Sequence, residues 1–359
     1  MLVVAPFFKG TTINKNKRLD HELLRRPETD ILKYHEYMKE FELIKHFFTE
    51  QAVKRKDVLL GIGDDCAVVA STQNQDIVVT TDTLVAGVHF PLETSPRAIG
   101  HKSVAVNLSD IAAMGAKPSW LSLAITLPEV NHDWLAEFCL GVFELCEFYN
   151  VQLIGGDTTQ GPLSITITAQ GLTPEGKYLS RSGAKTGDWL YVTGELGDAA
   201  LALQHYNGQV SVSSDSVDKI QAKLDYPRPR VLVGQTLREY ASSAIDLSDG
   251  VLADLGHICK ASNVGANIVL NAIPLSDIML DTLLFDDAIN LALSGGDDYE
   301  LLFTVSEDKK VGMETAVSHV GIPVTCIGQI NSSKTISTTL NNKPVPIKNI
   351  GFEHFSTKS

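Results

Sequence analysis

AIDLSDGVLADLGHICKA, residues 244–261, joins a short apolar strand (AIDLS) to a helix (DGVLADLGHICKA) through an Asp-Gly turn. The chain repeats this arrangement with variations. GIGDDC (61–66), TTDT (80–83), NLSD (107–110), GGDTT (155–159) and GGDDYE (295–300) join DLSDG (246–250) in setting Asp beside Gly, Ser, Thr or a second Asp. All six are read as loops, mostly at the ends of apolar strands. Helix capping or turn formation explains any one of them. Six together point to one cleft lined by carboxylates. Crowded carboxylates raise one another's pKa unless a cation intervenes. Hard oxygen ligands of this kind suit Mg²⁺, which bridges protein carboxylates to phosphates. Gly61, Gly63, Gly155, Gly156, Gly295 and Gly296 let the backbone approach a ligand and turn N–H groups toward an anion. The constellation reads as a multi-Mg²⁺ site for a polyphosphate. No G-x-x-x-x-G-K-[ST] accompanies it, which excludes a P-loop, and no G-x-G-x-x-G supports a Rossmann reading.

Outward from these loops, short strands and helices alternate. VLLGI (58–62), IVVTT (77–81), WLSLAITL (120–127) and VQLIG (151–155) read as strands, the last one buried. Helical patterning runs from about Pro96 to Met114 and again over 133–149, where Leu135, Phe138, Val142, Leu145 and Tyr149 recur at helical spacing. LSITITAQG (163–171) alternates with a period of two, as a half-exposed antiparallel strand does. The turn-rich TPEGKYLSRSGAKTGD (173–188) marks a domain boundary. Beyond it WLYVTG, AIDLS, ELLFTV and VTCIGQI read as strands, and YNGQVSVSSDSVD (206–218) as an exposed connection. The expected domains are 38–172 and 173–359. Residues 1–37 are polar, have no sustained period and read as an extension without regular order. Patterning begins at Met38, with Phe41, Ile44, Phe47 and Phe48 on one helical face. The acidic residues of the extension argue against a transit peptide, and MLVVAPFFKG is too short and wrongly flanked for a signal peptide.

Composition bounds the function. A length of 359 residues suits about two domains, and 44% hydrophobic with 20% charged residues is that of an ordinary globular chain. Lys plus Arg number 30 against 43 Asp plus Glu, a net charge of −13. Such a surface repels a phosphate backbone, so no nucleic-acid partner is expected. A bound divalent cation reverses the sign locally, so small anionic ligands remain open. No apolar run approaches the roughly 18 residues of a membrane span. Cys66, Cys139, Cys146, Cys259 and Cys326 are odd in number and form no C-x-x-C pair. They read as reduced, buried thiols in a cytoplasmic protein.

Eight ordered segments carry a resemblance to a known family: FELIKHFF, LLGIGDDCAVV, TTDTLVAGVHF, KSVAVNLSDIAAMGAKP, QLIGGDTTQGPLSITI, RSGAKTGDWLYVTG, SAIDLSDGVLADLGHI and LSGGDDYELLFTV. In this order they resemble the thiamine-monophosphate kinases, of the aminoimidazole-ribonucleotide-synthetase-like ATP-binding superfamily. The resemblance covers the chain from Met38 to the region of GFEHF. It implies two α+β domains and a homodimer whose N-terminal strands meet in a barrel-like interface. It also implies ATP-dependent phosphorylation of thiamine monophosphate to thiamine diphosphate, with several Mg²⁺ ions. By similarity, Asp65, Asp82, Asp110, Asp157, Asp246 and Asp249 are metal ligands, with Thr81 an additional one and Asp64 a neighbour. Asp110, Asp157 and Asp249 are also the expected catalytic residues. Gly156, Asp157, Arg181 and Ser248 fall on the ATP side. His89, Asp297 and the C-terminal Phe352 fall on the thiamine side. The chain departs from the pattern at Ala86 and Asp297, where many relatives have Glu; the first removes a polar contact and the second shortens the reach by one methylene.

The acceptor in this reading is a phosphate monoester, already a nucleophile near neutral pH, so direct in-line transfer without a phosphoenzyme is expected. Two rivals stand beside it. One is another ATP-dependent synthetase of the superfamily, with Cys66 read as a small packed hydrophobe rather than a reactive thiol. The other is a non-catalytic acidic cation-binding module, although no EF-hand spacing is present.

Overall fold

The computed structural model describes residues 40–70 and 73–346. The chain divides into two units, Met1–Leu43 and Ile44–Ser359. The described part of the first is a single α-helical turn, Glu40–Leu43. The expected extension 1–37, Met38 and Phe352 lie outside the described residues.

The second unit opens on a π-helical stretch, Ile44–Thr49, that buries Phe47 and Phe48. β1 (Val58–Leu60) and β2 (Val68–Val69) form a small antiparallel pair. Then come β3 (Gln75–Val85), α1 (Pro96–Ala113), β4 (Lys117–Leu127), α2 (His132–Tyr149), β5 (Gln152–Gln160) and β6 (Ser164–Pro174). Their strands form one sheet in the order β3-β6-β4-β5, with only β4 and β5 parallel. β6 bears out its alternating pattern. Ile165, Ile167 and Ala169 are buried, while Thr166 and Thr168 lie half-buried on the other face.

The second half contains β7 (Trp189–Thr193), α3 (Asp198–Tyr206), α4 (Ser214–Asp225), α5 (Val231–Leu237), β8 (Ala241–Asp246) and α6 (Val251–Ser262). It continues with β9 (Gly265–Val269), α7 (Asp277–Thr282), α8 (Phe285–Ser294), β10 (Leu301–Val305), α9 (Glu307–Ser318), β11 (Val324–Asn331), β12 (Ile336–Leu340) and β13 (Lys343–Val345). The sheet runs β13-β12-β9-β11-β7-β10-β8, antiparallel except between β12 and β9.

α1 is the element on which both halves pack. It begins at Ser95, whose hydroxyl accepts from the Ala98 N–H at 3.3 Å, and Pro96 occupies the first turn. Every residue from Ala98 to Ala113 is buried except Asp110. The helix is buried nearly all round although it is not apolar, since His101, Lys102, Ser103, Asn107 and Ser109 are among its buried residues. It touches α2, β3 and β6 on one side and α5 and β8 on the other. One consequence is that a polar side chain on α1 faces protein or a cleft, not bulk water.

Three of the six expected loops are not loops. TTDT lies inside β3, NLSD inside the last turns of α1 and GGDTT inside β5. Thr is β-branched and suits a strand, so Thr80, Thr81 and Thr83 extend the ladder past Asp82. In α1 the apolar pattern continues through Ile111 and Ala112, which overrides the capping preference of Ser and Asp. The expected connection 206–218 is also shortened: α4 starts at Ser214 and buries Ile220 and Leu224. Cys139, Cys146 and Cys259 are buried as expected, but Cys326 is only half-buried and Cys66 is exposed, because its turn belongs to the two-stranded β1–β2 pair. Among the described residues no helix is long and apolar enough to cross a membrane.

Candidate active site

A cleft of about 530 Å³ opens where α1 meets both halves, lined among others by Asp82, His89, Lys102, Asp110, Asp246 and Asp297. Ser248 and Asp249 of the DLSDG loop also face it. β3 supplies Asp82, and Thr80 shares its face of the strand. The Thr80 hydroxyl donates to Asp110 Oδ2 at 2.5 Å. Asp246, at the end of β8, lies close enough to Asp110 for the two carboxyls to act on each other. The Ser109 hydroxyl donates to Asp246 Oδ2 at 2.7 Å.

These three carboxyls face the same cleft, Asp246 buried and Asp82 and Asp110 half-buried. Burial, with the charge of Asp110 behind it, pushes Asp82 up to about 6. Burial raises Asp110, against the opposing effects of the Thr80 hydroxyl, the Arg181 charge and the Asp246 carboxyl. Burial and the Asp110 charge push Asp246 well above the usual carboxylate range. Such a group needs protons or a cation to relieve it. An all-oxygen donor set from Asp82, Asp110, Asp246 and Thr80 fits a hard divalent ion such as Mg²⁺. Among the described residues no three His, Cys, Asp or Glu side chains are gathered closely enough to hold an ion as they stand.

Two loops close the cleft. Ser248 and Asp249 donate their N–H groups to Asp254 Oδ2, both at 3.1 Å. Asp254, on α6, is pushed up to about 7 by burial. The GGDDYE loop lies against this one: Asp297 N–H donates to Ser248 O at 3.0 Å and Tyr299 N–H to Leu247 O at 2.8 Å. A Cβ at Gly296 would stand 2.4 Å from Ser248 O, so glycine is required for the two backbones to meet. Asp297 and Tyr299 both adopt positive φ, +70° and +49°. For a tyrosine that is a costly conformation, kept only where the surroundings impose it. His89 Nδ1 accepts from the Val85 N–H at 3.0 Å, so the neutral ring carries its proton on Nε2.

Other expected site residues stand apart. Thr81 is on the opposite face of β3 from Asp82, and its hydroxyl is hydrogen-bonded to that of Thr168 at 2.9 Å. Asp157 is exposed on β5, at the far edge of the sheet from β3. Its register partner Ala124 stands opposite Thr166, which stands opposite Thr83, and this row puts Asp157 on the same open face as Thr81. Gly156 meets strand β4 rather than a cleft: a Cβ there would fall 1.9 Å from Leu123 O. Asp64 and Asp65 occupy the exposed turn between β1 and β2, where Asp65 N–H donates to Asp64 Oδ1 at 2.8 Å. Arg181 is exposed, yet its charge acts on both Asp110 and Asp254. Thr80, Lys102, Asp254 and Tyr299 escaped the sequence reading. Thr80 and Tyr299 stand inside the TTDT and GGDDYE motifs and so had a local signal, while Lys102 and Asp254 had none.

Comparison with known proteins accounts for the whole of this architecture. The model of the AIR synthase related protein N-terminal domain matches residues 63–173, and that of the C-terminal domain matches residues 185–341. Thiamine-monophosphate kinase of Escherichia coli (strain K12) is 48% identical over 321 residues, covering 89% of this chain and 98% of that protein. The crystal structure of thiamine-monophosphate kinase from Stenotrophomonas maltophilia K279a superposes with a TM-score of 0.76 at 43% identity, covering 81% of this chain and 93% of that one. A structure described as AaThiL complexed with AMPPCP and TMP gives a TM-score of 0.69 at 29% identity, covering 82% and 92%. Near-half identity over 89% of the chain, with both domain models matched in order, makes this chain a member of the thiamine-monophosphate kinase family.

Proposed function

We propose that this chain transfers the γ-phosphoryl group of ATP to the phosphate of thiamine monophosphate, giving thiamine diphosphate. The observation that carries this is 48% identity across 98% of a thiamine-monophosphate kinase. It favours this acceptor over those of other superfamily branches and leaves an inert cation-binding module without support.

The chemistry follows from charge. The acceptor monoester is nucleophilic without a strong base, and the obstacle is repulsion between two anions. Mg²⁺, when bound, offsets that repulsion and aligns donor with acceptor for in-line transfer. Asp82, Asp110, Asp246 and Thr80 would hold it, with Asp249 beside them. The chain's own work is to hold these carboxyls together in the cleft, where burial favours their protonated form until a cation meets them. Arg181 and Ser248 serve the ATP side; His89, through Nε2–H, and Asp297 serve the acceptor side. Phe352 completes the acceptor side in this reading. The phosphoryl group passes directly, with no phosphoenzyme.

A homodimer belongs to the same reading. β3 is an edge strand whose open face carries Ile77 and Val79, 54% and 60% exposed. Thr81 and Asp157 lie on that face, so a second copy seated there is what would bring Asp157 toward a cleft. The reading divides the chain at 172/173, at the end of the stretch matched by the first family model and just before the unmatched residues 174–184. The reaction is placed in the cytoplasm.

The test is direct. Purified protein with Mg²⁺-ATP and thiamine monophosphate forms thiamine diphosphate, EDTA abolishes it, and thiamine is not an acceptor. No product from thiamine monophosphate would refute the proposal.

A pH-dependent metal effect follows from the raised carboxylates. Asp82 holds its proton to about pH 6 in the folded state but releases it near 3.8 when unfolded. Between these values the unfolded chain binds fewer protons, so metal-free stability falls as pH rises. A divalent cation acts only on the ionised form. In thermal melts, Mg²⁺ should therefore stabilise little at pH 5 and fully above pH 7. A shift that is the same at both pH values would contradict the site.

A further inference from the structure

Lys102 is unusual in this cleft. It projects from α1, its side chain is 3% exposed, and it lines the cavity. Its Nζ lies 3.1 Å from Asp297 Oδ1. Among the described residues this buried ammonium makes no aligned hydrogen bond, although it has three donors. A buried charge with idle donors costs free energy unless a ligand meets it.

Its carboxylate partner is held from a second side. The Tyr299 hydroxyl donates to the same Asp297 Oδ1 at 3.0 Å, leaving Oδ2 to a ligand. The positive φ of both Asp297 and Tyr299 fixes the loop that makes this geometry. The cleft thus presents an acceptor and a donor side by side, one carboxylate oxygen and one ammonium.

Position along α1 says which part of a ligand they meet. Asp110 marks the carboxylate cluster where the phosphates belong. Lys102 is eight residues earlier, about 12 Å along the helix axis. A ligand with its phosphate at the cluster and its long axis along α1 would bring its opposite end toward Lys102 and Asp297, which line the same cleft. In thiamine monophosphate that end is a 4-aminopyrimidine, whose exocyclic amine (donor) adjoins a ring nitrogen (acceptor).

We propose that Lys102 and Asp297 together read this edge: Asp297 accepts from the amine, Lys102 donates to the ring nitrogen, and Tyr299 positions the carboxylate. The inference rests on the kinase reading above and deepens it by assigning the acceptor's specificity.

The test compares thiamine monophosphate with its 4′-oxo analogue, which reverses the donor and acceptor at that edge. The readout is the ratio of the two kcat/KM values, which general damage to the protein does not move. Wild type should favour thiamine monophosphate by at least about a hundredfold, since a site built to hydrogen-bond one edge rejects the reversed one. Lys102→Met should collapse the ratio to within a few-fold, and Lys102→Arg should restore part of it. Tyr299→Phe, which removes one hydroxyl, should lower the ratio by several-fold and gives the answer if Lys102→Met fails to fold. A ratio unchanged in both Lys102→Met and Tyr299→Phe, or a wild-type ratio near one, overturns the inference. Wild type inactive on thiamine monophosphate overturns the kinase reading instead.

Discussion

Asp110→Asn should abolish turnover and stabilise the metal-free protein at the same time. The carboxylate is half-buried, accepts from Thr80 at 2.5 Å and acts on Asp246 beside it. Asn keeps an acceptor for Thr80, so the local structure survives. It removes a charge that helps push both Asp82 and Asp246 up, and it removes the cost of burying that charge. Above pH 7, with EDTA present, the gain should be on the order of 1 kcal/mol in a thermal melt. A divalent ion would lose a ligand, and several kcal/mol of charge stabilisation in the transition state should vanish with it. That corresponds to a fall in kcat on the order of a thousandfold. A site that trades stability for function moves the two readouts in opposite directions. If activity and stability fall together, Asp110 is holding the fold rather than serving a metal.

The chemistry of the cleft was legible because its carboxylates sit in short, distinctive motifs. Asp82, Asp110, Asp246, Asp249 and Asp297 all line it, as their motifs suggested. The secondary structure around them was less so. A tetrapeptide such as NLSD looks like a cap, and only its burial between two sheets makes it the inside of a helix. GGDTT looked like a phosphate loop, yet Gly156 is required by the carbonyl of Leu123 on the neighbouring strand. The alternation in β6 was read correctly because one face of that strand packs on α1 and the other does not.

Supporting residues were invisible for a physical reason. Lys102 follows His101 in what reads as an ordinary helix start, and a lysine there is normally a solvated one. Its burial comes from packing contributed by both halves of the chain, which no local window contains. Asp254 resembles a polar residue on an amphipathic helix, but it accepts two N–H groups from the loop that precedes the helix. The monomer also leaves Asp157 and Thr81 on the open face of the sheet, away from the carboxylate cluster. Among the described residues, nothing within the single chain brings them to the cleft.

Arg230→Met should be the most damaging change to stability that leaves every cleft carboxylate in place. Arg230 and Glu300 are 15% and 5% exposed at their side chains. The guanidinium grips Glu300 with two donors, one at 2.6 Å to Oε2 and the other to Oε1. Thr193 donates to Oε2 at 2.5 Å, and its own oxygen accepts from the Leu301 N–H at 2.8 Å. Glu300 ends the GGDDYE motif, and its carbonyl accepts from Leu247 N–H at 2.8 Å in the opposing loop. Removing the arginine strands a buried carboxylate, which costs about 3–5 kcal/mol. The loss comes from the uncompensated charge rather than from the missing contact. Arg230→Met combined with Glu300→Gln should therefore recover most of it, because the amide is neutral and still accepts from Thr193. Denaturant titrations of the two single variants and the double variant decide the point. If the double variant is as unstable as Arg230→Met alone, the pair is not a charge clamp, and its place at the end of the cleft loop needs another cause.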